Sequence, residues 1–219
     1  MSLLKSFENI KVVALDWDGT VVDSVPYKLA QNQAIAHEFG KDLSLSEVRR
    51  EWNDSSGFPD LMYRLTGTRD IDAIIRVVKR DYNNPAYAKR NFTFSHIALP
   101  AIRTQGFGLG AITNATREIL EMDAYQLGFE LNKDFDFTQA VDECEHKKPD
   151  GRVFDPLLRH FGITASQLLY IGDEMKDYQA AQNAGANFLG VTTGMSTGAE
   201  FTEQNIPFIR DLASLYSEN

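Results

Sequence analysis

Cysteine occurs once in the 219 residues, at Cys144, so an internal disulfide is excluded. That fits a reducing compartment. No motif surrounds the cysteine, and it reads as a plain thiol rather than a nucleophile. There is no run of about 18 apolar residues, so no membrane-spanning helix is expected. Lys5, Glu8 and Lys11 interrupt the apolar residues near the start, and no signal peptide is visible. A cytoplasmic location follows as the default. Cations are in short supply, with 22 Lys and Arg against 31 Asp and Glu and a net charge of −9. This balance opposes a nucleic-acid backbone or an anionic membrane surface as the main partner. It leaves room for a small anionic substrate held by a local cluster of cations. Internal repeats and low-complexity tracts are also lacking.

What is present is a core. Apolar residues make up 43% of the chain, which argues against disorder. The length suits one large domain, or one domain with a smaller insertion. Val12–Leu15 is an apolar run that reads as a buried strand of a parallel sheet. Ser24 is placed to cap a helix with Pro26 in its first turn, over Tyr27–Phe39 and ended by Gly40. Ser44 and Glu47 have capping-box spacing at the head of a second helix, Ser44–Trp52. Helical stretches follow at Pro59–Leu65 and Ile71–Tyr82, and Asn83-Asn84-Pro85 breaks the run. Residues 25–92 hold no convincing strand and read as a helical insertion.

Strand–helix alternation then resumes: helix Ile97–Thr104, strand Gly108–Thr113, helix Ala115–Leu127, short strand Phe135–Thr138 and helix Val153–Phe161. Strand Leu168–Gly172, a helix to Ala184, strand Phe188–Val191 and an edge strand Ile206–Ile209 complete it. The expected fold is α/β, a doubly wound parallel sheet with a Rossmann-like core, formed by 1–24 and 93–219, and an inserted α-helical cap, 25–92.

Chemistry-bearing residues gather at strand ends, where open α/β sheets place their ligands. The first strand ends in Asp16-Trp17-Asp18-Gly19-Thr20. Gly19 lets the chain leave strand geometry, so both acids can reach one small site, one as nucleophile and one as proton carrier. A calcium loop counted from Asp16 would need glycine sixth and glutamate twelfth, and Val21 and Tyr27 stand there. An ordinary Asp- and Gly-rich turn is the plainer alternative. Thr113-Asn114 ends the second strand and is read as opening a helix, offering a hydroxyl and amides to phosphate oxygens, or simply a cap. Lys147-Lys148-Pro149-Asp150 offers a lysine as a point cation, or a solvated pair. Asp173 and Asp177 follow a buried strand four residues apart and can hold a hard cation, or favour the helix dipole.

Acid pair, threonine, lysine and acid pair, in that order, resemble the haloacid dehalogenase superfamily over nearly the whole chain. The resemblance is to its phosphatase branch with a helical cap, the phosphoglycolate phosphatase and beta-phosphoglucomutase-like enzymes. Val153-Phe154 and Ala180-Ala181…Ala184-Gly185 share the family's spacing. The resemblance implies a magnesium-dependent phosphomonoesterase acting on a small phosphorylated metabolite through an aspartyl-phosphate. It implies catalytic roles for Asp16, as nucleophile, and Asp18, as acid and base. Mg2+ would be held by Asp16, the Asp18 carbonyl and Asp173, with Asp177 acting behind these ligands or through water. Thr113, the amide of Asn114 and Lys148 would hold the phosphoryl oxygens.

Single positions choose the branch. The family's dehalogenases lack the second acid, which is Asp18 here. Its phosphonoacetaldehyde hydrolases replace that acid by alanine and use a cap lysine, and no lysine lies between Lys41 and Lys79. Its hexose-phosphate mutases carry a histidine where Lys28 stands and an arginine near Gly57. A phosphotransferase or sugar-phosphate mutase, an aspartate-phosphorylated signalling module and a binding protein on a dead enzyme scaffold are the rival readings. In the cap, Arg49, Arg50, Trp52, Tyr63, Arg64 and Arg69 are candidates for substrate choice, with Ser55-Ser56-Gly57 or Arg64 meeting the leaving group. Thr192-Thr193-Gly194 and Gly198 read as a flexible loop near the site.

Overall fold

In a computed structural model, described over residues 4, 7–81, 90–92 and 94–216, the chain divides into two compact units. One is Met1–Asp23 with Arg90–Asn219, and the other is Ser24–Lys89.

The larger unit is built on a six-stranded sheet. Its strands are β1 (Val12–Leu15), β4 (Gly108–Ile112), β5 (Phe137–Gln139), β6 (Leu168–Gly172), β7 (Asn187–Val191) and β8 (Phe208–Ile209). The spatial order is β5-β4-β1-β6-β7-β8, and every pairing is parallel. The chain fills one side of β1 and then returns to fill the other, so β1 is the point at which the winding reverses. Val12 lies opposite both Gly108 and Leu168, which sets the ends of β1, β4 and β6 side by side.

All four β1 residues are buried because the sheet is covered on both faces. Val13 and Leu15 pack with Ala98, Ile102 and Leu120, from α5 (Ser95–Thr104) and α6 (Arg117–Leu127). Val12 and Ala14 pack with Leu157 of α8 (Asp155–Phe161) and with Ala180 and Ala181 of α9 (Met175–Ala184). β2 (Val22–Asp23) and β3 (Arg90–Asn91) form a separate antiparallel pair. β3 is a strand inside a stretch read as strand-free; two residues are too few to show alternation. Two short helices, α7 (Leu131–Asp134) and α10 (Gly198–Glu203), were not expected.

The smaller unit holds α1 (Val25–Glu38), α2 (Leu45–Asn53), α3 (Phe58–Thr66) and α4 (Ile71–Asp81), with α1 packed on the other three. The Ser44 box forms as spaced: Glu47 N donates to Ser44 Oγ at 3.3 Å, and Ser44 N to Glu47 Oε2 at 2.8 Å. Ser24 stands at the head of α1 but makes no side-chain cap. Its backbone is already in the helical region, whereas a capping residue sits in the extended region with its oxygen over the first amides. The breaker Asn83-Asn84-Pro85 lies outside the described residues. No helix among the described residues is long and apolar enough to cross a membrane.

Candidate active site

The loop after β1 is held by its own backbone and by Trp17. Val21 N and Val22 N both donate to Trp17 O, and Gly19 N donates to Val22 O at 2.8 Å. The Trp17 ring is fully buried against Phe129 and Phe135, with its indole N–H on Asp123 Oδ2 at 3.3 Å. Trp17 thus anchors the turn into the core between two buried acids, Asp16 and Asp18.

Asp16, Asp173 and Asp177 come together, with one carboxylate oxygen of each within 4.8 Å of the others. Lys148 reaches them from the loop before α8. Its Nζ lies 2.6 Å from Asp16 Oδ1 and 2.6 Å from Asp177 Oδ1. Burial alone would lower the Lys148 pKa, but Asp16 and Asp177 hold it well above the usual lysine value. Burial pushes the Asp16 carboxyl up to about 7 against the opposing pull of Lys148. Burial also raises Asp173 well above the carboxylate range, reinforced by the charge of Asp16. Three buried acids thus face one buried ammonium, an arrangement with a net deficit of positive charge.

The remaining contacts fix each group. Asp173 Oδ1 accepts from Thr20 Oγ1 at 3.1 Å and Oδ2 from Met195 N at 2.8 Å. Thr193 Oγ1 donates to Gly19 O at 2.7 Å, and Ser196 N to Asp173 O. The loop after β7 is therefore bonded to Asp173 and Gly19, which places it near the site. A Cβ on Gly194 would fall 1.8 Å from Asp173 Oδ2, and one on Gly19, at φ +78°, 2.5 Å from the same oxygen. Only glycine permits that approach. Asp177 Oδ2 accepts from Glu174 N at 3.0 Å, so both oxygens of Asp177 are engaged.

Thr113 is buried at the end of β4, yet no helix starts beside it. Thr113 Oγ1 accepts from Ala115 N at 3.0 Å, and α6 begins at Arg117 under a Thr116 cap. Asn114 uses its side chain on the Lys148 backbone: Lys148 N donates to Oδ1 at 3.2 Å, and Nδ2 to Lys148 O at 3.3 Å. Sequence reasoning assigned no role to Thr20, Met195 or Tyr170. Thr20 and Met195 are ordinary residues until the loops meet. Tyr170 carried a signal as the only polar side chain in its apolar strand.

A parallel sheet with buried acids directly after β1 and β6 defines an α/β fold, and two solved structures share that fold. CbbY from Rhodobacter sphaeroides, in complex with phosphate, aligns with TM-score 0.74 at 16% identity over 94% of this chain and 99% of its own. A family IA, variant 3 hydrolase from Entamoeba histolytica gives 0.75 at 14% identity over 93% and 94%. The chain belongs to the haloacid dehalogenase-like hydrolase family, whose model matches residues 13–191, and it is a hydrolase. It is 30% identical over 223 residues to the phosphoglycolate phosphatase of Escherichia coli K12, covering 89% of this chain and 86% of that protein. It is 27% identical to that of Vibrio parahaemolyticus, over 94% of each.

Proposed function

We propose that this hydrolase is a magnesium-dependent phosphomonoesterase acting on a small phosphorylated metabolite, at home in the cytoplasm. The observation that carries the reading is the buried cluster of Asp16, Asp173 and Asp177 against the single ammonium of Lys148. An all-oxygen donor set with too little positive charge suits a hard divalent cation. Asp16, the Asp18 carbonyl and Asp173 would hold Mg2+, with Asp177 acting behind these ligands or through water. When bound, the ion supplies charge stabilisation to the phosphoryl group.

The steps themselves belong to the chain. An Asp16 oxygen bonds to phosphorus as the ester oxygen leaves, and Asp18 gives that oxygen its proton. Asp18 then takes a proton from water, whose oxygen attacks phosphorus. The bond to Asp16 breaks, inorganic phosphate departs and the Asp16 carboxylate is restored. Thr113, the Asn114 amide and Lys148 hold the phosphoryl oxygens, which is positioning plus charge, as phosphoryl transfer requires. Residues 25–92 serve as the cap that selects substrate. Phosphoglycolate, named in the curated relatives, is the first candidate.

The test is phosphate release across a panel of phosphorylated metabolites with Mg2+, with Asp16→Asn as control. The wild type is expected to release phosphate into solution and Asp16→Asn to release none. Transfer of the phosphoryl group to a second substrate hydroxyl would instead favour a mutase. Equal background from both proteins would overturn the assignment.

A further inference from the structure

Tyr170 lies on β6, fully buried among apolar side chains. A hydroxyl in such surroundings must be satisfied, and this one is bonded on both sides. It accepts from Lys148 Nζ at 2.9 Å and donates to Ile112 O at 3.1 Å. Its ring is braced edge-on by Phe154 at 4.8 Å. Ala14 lies opposite both Tyr170 and Gly110, so the strand between β6 and β4 presents only a methyl group there. The phenol can therefore cross β1 and reach the last carbonyl of β4.

A lysine ammonium has three protons and no acceptor. Here the three face Asp16 Oδ1, Asp177 Oδ1 and Tyr170 Oη. The first two acceptors are carboxyl oxygens, and either alone would draw the ammonium to itself. The third is neutral and fixed from behind: with its own proton committed to Ile112, the phenol turns a lone pair to Lys148. The ammonium is thus tied to the strand that ends beside Thr113.

We propose that Tyr170 is a positioning residue, which fixes the Lys148 ammonium relative to the end of β4 so that its charge is already aimed when a phosphoryl group arrives. The proposal rests on the phosphatase reading, and its test separates the two.

Tyr170→Phe removes the oxygen and keeps the ring. Orthovanadate binding, titrated directly in Mg2+ buffer, is compared for wild type, Tyr170→Phe, Lys148→Met and the double variant. Tyr170→Phe is expected to weaken vanadate about tenfold while Lys148 is present, the order of one hydrogen bond to a charged group. In the Lys148→Met background the same change should cost less than about twofold, the mark of a coupled pair. On the best substrate, kcat should fall in step with vanadate affinity while KM stays within about twofold. Equal weakening in both backgrounds, or no weakening in either, overturns the proposal. Coupling in a wild type that hydrolyses nothing would sink the phosphatase reading and leave the positioning role standing. Should Tyr170→Phe fail to fold, the Cζ chemical shift of Tyr170 in isotope-labelled protein is read with and without Lys148→Met. A clear shift supports the contact, and an unmoved resonance overturns it.

Discussion

The two units differ in where they bury charge. In the sheet unit the decisive charges are out of water: the side chains of Lys148, Asp16 and Asp177 are 4%, 7% and 1% exposed. In the helical unit the pairs are wet, with Arg64 and Asp60 at 35% and 34% and Arg80 and Glu38 at 56% and 48%. Buried charges are costly unless paired, so each is held there by something specific. Exposed pairs contribute little and are screened by salt. A buried charge in the sheet unit therefore reports on chemistry, while the half-exposed pairs of the helical unit, like the surface pairs of the sheet unit such as Lys133 and Glu130, report mostly on solvation.

The largest expected effects sharpen the buried side of that contrast. Asp16→Asn and Lys148→Met should each lower kcat/KM by about a thousandfold or more, since groups that act as a unit fail together. Both are read by phosphate release. A Lys148→Met variant within about tenfold of wild type would show that burial alone does not mark function here. Next comes Gly194→Ala, which adds a methyl where Asp173 Oδ2 already lies. Overpacking of this kind costs about 1–3 kcal/mol. The expected outcome is a lowered Tm together with weaker Mg2+ binding by calorimetry, because the atom displaced belongs to the acid cluster.

How much of this was legible follows the same divide. The bounds of β6 and the end of α9 could be read directly, since an unbroken apolar run and a closing glycine are local signals. The acids and the lysine were legible because they recur in a fixed order along the chain: Asp16 and Asp173 directly follow β1 and β6, while Asp177 lies in α9 and Lys148 in the loop before α8. Partners were not legible: Tyr170 and Lys148 are 22 residues apart, and Thr20 and Asp173 are 153 apart. The late start of α6 was missed because Thr113 and Thr116 are both plausible caps, and only tertiary placement chooses between them. For α10 the signal was present. Thr197 and Glu200 form a capping box, obscured by reading Gly198 as loop.

Metal removal gives a graded test of the buried cluster. In chelator the Asp16 carboxyl, raised from 3.8 to about 7, holds a proton that the unfolded chain releases. A raised carboxyl contributes stability that is complete below its unfolded pKa and is lost as pH climbs through its folded one. The metal-free Tm should therefore fall as pH rises from about 5 to about 8. Added Mg2+ should restore more stability at the upper end, where it no longer competes with that proton. A metal-free Tm that is flat across this range would mean that the acids are relieved by some other route.

The smallest effect is expected from the helical unit, and it tests the contrast from the other side. Arg64 donates from Nε to Asp60 Oδ2 at 3.2 Å and from Nη1 to Glu51 Oε2 at 3.4 Å. Asp60 Oδ2 also accepts from Ser56 N at 2.8 Å and from Ser56 Oγ at 3.3 Å. The guanidinium thus ties the start of α3 to α2, a local task that needs no substrate. Arg64→Ala and Ser56→Ala should leave kcat/KM within about threefold of wild type, as solvated pairs do. High salt should shrink even that difference, because screening weakens the same pairs in the wild type. A loss of tenfold or more that survives high salt would move Arg64 or Ser56 into the substrate-selecting set, and an exposed charge in this unit would then have to be read as chemistry after all.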